Sequence, residues 1–349
     1  MRRTLAVVGV GLIGGSIGLA ARSRGDWEVI GVDRPGVLEK AAALGAIDRP
    51  STLKEAREAD LIVLAAPISQ IVTLLKDLSP AGALMTDVAS TKAGIVREAE
   101  RLGLRFVGGH PMNGSQLAGV DNARADLFEG ARYFLTPTER TDPDDYREVS
   151  GFVRSLGATP TAVEADKHDL LMAALSHLPH LMAVALLRVA SDISPEALSF
   201  AGPSFRDLTR VGSSNPSLWA DILAENAPAL GEVLGRFAGA MAQIGSEISN
   251  REVIERRFRE AREAYEALGG ILIERSGKNV EISVPVENRP GVFAEVTTLL
   301  GRNNINILDL YVRHSNTSRA ALVLTVDSKS APPARRLLQE AGFRVEILD

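Results

Sequence analysis

Thr4-Leu5-Ala6-Val7-Val8-Gly9-Val10-Gly11-Leu12-Ile13-Gly14 reads as an apolar strand running through G-x-G-x-x-G into a helix. In such a turn the first glycine permits the tight reversal, the second lets the backbone approach a pyrophosphate, and the third lets helix and strand pack closely. Leu12 and Ile13 then open a helix whose free N–H groups face the phosphates. A second strand over 27–32 runs to Asp33, where a carboxylate binds ribose hydroxyls and repels a 2′-phosphate, favouring NAD over NADP. Arg34 is the opposing signal, because a guanidinium there pairs with a 2′-phosphate. A glycine-rich structural turn is the plain alternative. The cationic start Arg2-Arg3 followed by apolar Leu5 to Ala20 also resembles a secretory signal, but five glycines interrupt it between Gly9 and Gly18.

The same alternation continues outward. Short apolar runs at 4–8, 27–32, 60–65, 83–87, 104–107, 132–135 and 158–163 alternate with helical stretches, which predicts a Rossmann-type, doubly wound, mostly parallel α/β sheet. From 165 to 268 the spacing is helical throughout: Leu170, Leu171, Ala174, Leu175, Leu178, Leu181, Met182 and Ala185 share one face, with a kink expected at Pro179. Further helices are expected over 217–243 and 247–268. The last has Ile254, Phe258, Ala261 and Tyr265 on one side, and such an apolar face suits a homodimer. After the polar Ser276-Gly277-Lys278-Asn279 the period becomes two, and the order βαββαβ of a ferredoxin-like unit follows. The expected domains are thus 1–164, 165–272 and 279–349.

Bulk properties exclude several classes. At 349 residues the chain exceeds one core. A net charge of -5 offers no general basic field for nucleic acid or an anionic membrane, so an anionic ligand must be held locally. With no cysteine there is no disulfide, thiolate metal site or cysteine nucleophile, and a cytoplasmic location fits. No further stretch is expected to reach the ~20 apolar residues of a membrane span.

His110 closes Phe106-Val107-Gly108-Gly109-His110-Pro111-Met112, at the sheet edge where open α/β folds bind ligands. Imidazole is well suited to take a hydroxyl proton near neutral pH, although a backbone-capped strand end is the bland reading. Ser90, in Asp87-Val88-Ala89-Ser90-Thr91-Lys92, either orients His110 or a nicotinamide, or caps a helix. In Ser176-His177-Leu178-Pro179-His180 two histidines share a helical face. Without a carboxylate partner at ligand spacing they read as structural or substrate-facing groups, and no metal site is expected. Arg210 either clamps a carboxylate or pairs with Asp207.

The ordered set formed by the glycine turn with Asp33, Asp87-x-x-Ser90-x-Lys92, Gly109-His110-Pro111-Met112, Ser176-His177-x-x-His180, Thr209-Arg210 and Asn215-Pro216-x-x-Trp219 resembles the prephenate dehydrogenases along the whole chain. The tail, with Asn288-Arg289-Pro290-Gly291-Val292 and Asn304-Ile305, resembles an ACT regulatory domain. The resemblance implies NAD-dependent oxidative decarboxylation of prephenate to 4-hydroxyphenylpyruvate, with His110 accepting the ring hydroxyl's proton and Arg210 binding the ring carboxylate. It also implies that His180 and Ser90 orient substrate and nicotinamide, that Ser176, His177, Trp219 and Gln116 border the substrate, and that tyrosine acts on the ACT-like domain. Gln116 stands where an acidic residue is usual, Asn113 where alanine is usual, and Pro203 interrupts a stretch usually rich in glycine. The rival readings are an arogenate dehydrogenase, a 2- or 3-hydroxy acid dehydrogenase, and a non-catalytic sensor of NAD and amino acids.

Overall fold

The structure, a computed structural model, describes residues 2–24, 27–79, 82–113, 117–194, 196–273, 279–287, 289–314 and 319–348. It divides into two compact units, Met1–Met241 and Ala242–Asp349.

The first unit opens with β1 (Arg3–Val8), α1 (Leu12–Ser23), β2 (Trp27–Val32), α2 (Pro35–Ala43), β3 (Arg49–Pro50), α3 (Leu53–Ala56), β4 (Leu61–Leu64), α4 (Ile68–Leu78), β5 (Leu84–Asp87), α5 (Ala93–Arg101), β6 (Phe106–Pro111), β7 (Arg132–Thr136), α6 (Pro143–Ser155) and β8 (Thr159–Ala162). The strands lie in the order β3-β2-β1-β4-β5-β6-β7-β8. All neighbours are parallel except β6 and β7. β1 is buried on both faces: Leu5 and Val7 join one hydrophobic cluster and Ala6 and Val8 the other. That two-sided burial is why the central strand reads as an unbroken apolar run. The expected parallel α/β domain is present. Two details differ. β3 is only two residues long, too short to register as an apolar run, and the strand expected at 104–107 is β6, displaced toward the C-terminus so that His110 pairs across from Phe134 of β7.

A helical segment completes this unit. α7 (Ala165–Met172) passes through a widened π turn at Ala173–His177 into α8 (Leu178–Ile193). Pro179 lies inside this continuous run and lacks the N–H that would bond one turn back, and the irregularity falls in the turn before it, where the widened π turn accommodates that gap, rather than at the proline. Together these elements make a helical run of 29 residues, Ala165–Ile193, with an 18-residue stretch of mean hydropathy 1.8, long and apolar enough by length and composition to cross a membrane. This corrects the expectation that no such stretch exists. The run nevertheless carries His168, Asp169 and His177, all buried. α9 (Pro203–Thr209) follows, with Pro203 in its first turn, then α10 (Pro216–Glu225) and α11 (Ala227–Glu247), so the helix expected over 217–243 is divided at Asn226.

The second unit contains α12 (Arg251–Ile273), β9 (Asn279–Glu287), α13 (Val292–Arg302), β10 (Ile307–His314), β11 (Arg319–Asp327), α14 (Ala331–Glu340) and β12 (Glu346–Leu348). Its sheet is antiparallel, in the order β10-β11-β9-β12, as the βαββαβ reading expects. Ile282, Val284, Leu322 and Leu324 of the central strands pack with Val296, Leu300 and Leu338 of the two helices.

The glycine turn yields a stability prediction. A Cβ at Gly14 would overlap the Gly9 carbonyl oxygen, whereas one at Gly11 meets no atom within 4 Å. Gly14→Ala is therefore expected to cost about 1–3 kcal/mol in urea denaturation. Gly11→Ala, at a helix N-cap with φ of -83°, is expected to cost less than about 1 kcal/mol. Equal losses in the two variants would refute this division of roles.

Candidate active site

The glycine loop is shaped from several directions. Gly9 adopts φ of +92° and its N–H donates to the Val32 carbonyl at 2.9 Å. Asp33 accepts from Val10 N–H at 2.7 Å through Oδ2 and from Arg34 N–H at 2.7 Å through Oδ1, so the carboxylate fixes the loop as well as the end of β2. The Arg34 side chain is largely exposed and only 3.9 Å from that carboxylate, a weak contact. Gly11 caps α1 without a side chain, and the N–H groups of the first turn, at Leu12 and Ile13, have no carbonyl one turn earlier to meet them. Open space at Gly11, free helix N–H groups and a carboxylate at the neighbouring strand end fit a dinucleotide.

His110 is placed by a buried frame one layer below it. Lys92 and Asp87 form an ion pair with both side chains fully buried. Asp87 also accepts from Gly109 N–H at 2.9 Å, and Lys92 Nζ donates to the Gly109 carbonyl at 2.7 Å. The residue preceding His110 is thus held through both its backbone N–H and its carbonyl. A Cβ at Gly109 would lie 2.6 Å from the Asp87 carbonyl oxygen, so the close approach of β5 and β6 needs glycine there.

His110 Nδ1 lies 2.9 Å from His168 Nε2, and His168 Nδ1 donates to Asp169 Oδ1 at 2.8 Å. The same carboxylate accepts the N–H groups of Lys92 at 2.7 Å and Ala93 at 2.8 Å, capping α5 from α7. Neither Ser90 nor Thr91 caps that helix. Burial, reinforced by His168, Lys92 and His177, holds His110 well below the usual imidazole range. It is therefore neutral near pH 7, and its Nε2 has no hydrogen bond to a described residue.

The Asn226 side-chain amide donates to the Asp169 carbonyl at 2.8 Å and to His177 Nδ1 at 3.0 Å. His180 Nδ1 donates to the Ser176 carbonyl at 2.8 Å, and its ring stacks on Trp219 at 3.6 Å between centroids. His177 meets the edge of the same indole at 5.9 Å. Arg210 opens a short 3-10 turn (Arg210–Ser213) that packs on α8, is exposed, and makes no ion pair with Asp207 or any other described residue. Asn113 donates to the Leu127 carbonyl, while Gln116 lies outside the described residues. In the second unit Arg289 pairs with Glu295 at 2.7 and 2.6 Å, Pro290 is exposed, Gly291 caps α13 at φ of +86°, Asn304 adopts φ of 56° and Ile305 is buried. Asn288 lies outside the described residues.

Sequence reasoning missed His168, Asp169 and Asn226. The available signal was the pair His168-Asp169, two polar residues at the threshold of an apolar helix.

A nucleotide-type loop, a strand-end imidazole and a helical wall over it define a nucleotide-dependent dehydrogenase. The chain belongs to the prephenate dehydrogenase family. The family's nucleotide-binding domain matches residues 17–161, its dimerization domain 164–261, and an ACT domain 280–343. Prephenate dehydrogenase of Bacillus subtilis (strain 168) is 32% identical over 331 residues, 89% of this chain and 88% of its own. The structure of Synechocystis arogenate dehydrogenase matches with a TM-score of 0.68 at 34% identity, covering 75% of this chain and 99% of that one. Prephenate dehydrogenase from Aquifex aeolicus, solved with hydroxyphenyl propionate and NAD+, gives 0.67 at 30%, covering 79% and 98%.

The buried histidines predict an acid-sensitive fold. Burial first, then His180 and His168, push His177 down to about 4 from 6.5, against the opposing pull of Asp169. The unfolded chain therefore binds this proton at a higher pH than the folded one, so the contribution is intact above about pH 6.5 and is lost as pH falls toward 4. The loss is expected to be about 3 kcal/mol in urea titrations at pH 7 and pH 4. His177→Gln, which keeps an acceptor for Asn226, is expected to flatten that dependence, and an unchanged slope would contradict the assignment.

Proposed function

We propose that this enzyme uses NAD to convert prephenate to 4-hydroxyphenylpyruvate and carbon dioxide. The observation that carries the reading is His110, neutral and with no described residue hydrogen-bonded to its Nε2, at the sheet edge served by the glycine loop. NAD, held by the glycine loop and Asp33, would supply the two-electron acceptor for hydride from the ring carbon bearing the hydroxyl. His110 Nε2 accepts the hydroxyl proton as that hydride leaves. The bond to the ring carboxylate then breaks, carbon dioxide departs, and the proton returns from His110 to the ring oxygen as the ring aromatises. Because aromatisation drives the step, the protein's task is chiefly positioning.

Arg210, without a partner among the described residues, binds the ring carboxylate. Ser90, free of capping duty, orients His110 and the nicotinamide. His180, held by Ser176 and flat on Trp219, meets the substrate, and His177 braces that wall from behind. Gly9, Gly11, Gly14, Leu12, Ile13 and Asp33 hold the dinucleotide, the last favouring NAD over NADP. We place Gln116 at the substrate by resemblance alone.

The chain acts as a cytoplasmic homodimer in this reading, with domains at 1–164, 165–272 and 279–349. Exposed Val184, Val189 and Ile193 on α8 supply apolar surface, as do Phe258 and Tyr265 on α12, each 75% exposed. The family's dimerization domain, matched over 164–261, covers α8 and the first part of α12, including Phe258. Tyrosine acts on the ACT domain through the Arg289 to Gly291 turn, Asn304 and Ile305. The second reading is an arogenate dehydrogenase, favoured by the likeness to the Synechocystis enzyme.

Steady-state kinetics on prephenate and arogenate test the reading directly, with a prephenate preference expected and an arogenate preference installing the second one. His110→Asn is expected to lower kcat by roughly 10²- to 10⁴-fold with NAD affinity nearly intact. Turnover within a few-fold of the parent would remove His110 from the chemistry. Arg210→Gln is expected to raise the substrate KM roughly tenfold or more, matching a charged hydrogen bond of about 1.5–3 kcal/mol.

A further inference from the structure

We propose that His168 and Asp169 are positioning residues that act through His110, forming with it a buried relay Asp169–His168–His110. This inference rests on the reading of His110 as the base. The three groups are joined end to end, at 2.8 Å between Asp169 Oδ1 and His168 Nδ1 and at 2.9 Å between His168 Nε2 and His110 Nδ1. His168 is fully buried and Asp169 nearly so. A buried imidazole between two polar partners keeps only the arrangement those partners dictate.

The polarity of the chain follows from its far end. A carboxylate accepts only, so His168 Nδ1 carries the proton it donates to Asp169. With its one ring proton at Nδ1, His168 presents a lone pair at Nε2, and the proton of the next bond sits on His110 Nδ1. The remaining nitrogen, Nε2 of His110, is left as the acceptor on the side with no described hydrogen-bond partner. The relay thereby selects the one tautomer of His110 that can take a proton from a substrate. It also holds the ring, since His168 meets His110 edge-on at 5.1 Å and is flanked by Phe134 at 5.5 Å. When His110 gains the substrate proton, its positive charge faces His168 and, beyond it, the Asp169 carboxylate, and it disappears when the proton is returned. No covalent bond is made or broken in the relay.

Asp169 is fixed independently of the histidines. Its oxygens accept the N–H groups of Lys92 and Ala93 at the start of α5, and its carbonyl accepts from Asn226. It thus ties the relay to the element that begins just after Lys92, whose ammonium grips the peptide before His110.

The test is a double-substitution cycle in the full-length enzyme with prephenate and NAD, using His168→Leu, His168→Gln and His110→Asn. The amide of glutamine carries a donor and an acceptor one carbon apart, as the imidazole does, so it can donate to Asp169 and accept from His110. His168→Leu is expected to lower kcat by roughly 10- to 10³-fold with both KM values within about threefold, within the range of general-base effects. His168→Gln is expected to recover most of that loss. In a His110→Asn background, His168→Leu is expected to lower kcat no further, because residues acting as a unit are non-additive. A full additional loss in that background, a failure of glutamine to restore turnover in a folded protein, or a loss confined to KM would each overturn the relay. Near-normal turnover of His110→Asn alone would instead overturn the assignment of the base, so the two failures are distinguishable.

Discussion

The buried ion pair between Asp87 and Lys92 is the constraint on which the site depends. Two charges without solvent are costly, and their mutual attraction offsets the cost only when the remaining hydrogen-bonding capacity is used. Here it is used on one residue, through the two peptide groups that flank it: Asp87 takes the N–H of Gly109 and Lys92 gives to its carbonyl. An apolar pair of the same volume would pack there, but it could not orient the residue that follows. The geometry places the pair under His110, at the junction of β5, β6 and α5, and the stability it consumes appears as positional precision in the imidazole. Both glycines before His110 belong to the same device, because a side chain at either would collide with the neighbouring strands.

The helical segment docks onto that frame through polar rather than apolar contacts. Asp169 reaches the buried N–H groups at the start of α5 that the helix itself leaves unpaired, where the end of a helix favours negative charge. Asn226 closes the gap between α10 and α11 and ties Asp169 to His177. One apolar helical run therefore serves two ends: near its start His168 meets His110 of β6, Asp169 caps α5 and His177 meets Asn226, while its later residues leave valine and isoleucine at the surface. Length and hydropathy alone would class this run with membrane-spanning helices. Its buried histidines and aspartate, each hydrogen-bonded, show a helix docked against a protein surface.

Much of this was legible in the chain. The glycine turn, the apolar strands and the switch of period after Asn279 reflect local steric and burial rules, and those rules act within a few residues. His110 was legible because a polar residue ending an apolar strand is conspicuous. His168 and Asp169 were not, because their partners lie 58 and 77 positions away in sequence, and His-Asp at the start of a helix also reads as a solvated cap. The displacement of β6 escaped for a related reason: Gly108 and Gly109 look like strand breakers until the tight neighbours that require them are known. The break at Asn226 likewise follows from inward hydrogen bonds that local helix preference does not encode.

On the proposed reading, hydride removal and loss of the ring carboxylate follow one another within a single turnover at His110, with no intermediate released between them. The most direct measurement is the stoichiometry of carbon dioxide to NADH in a single incubation of the enzyme with prephenate and NAD. Equal amounts from the first turnover onward are what the account predicts. NADH formed without matching carbon dioxide, or carbon dioxide released without NADH, would contradict it.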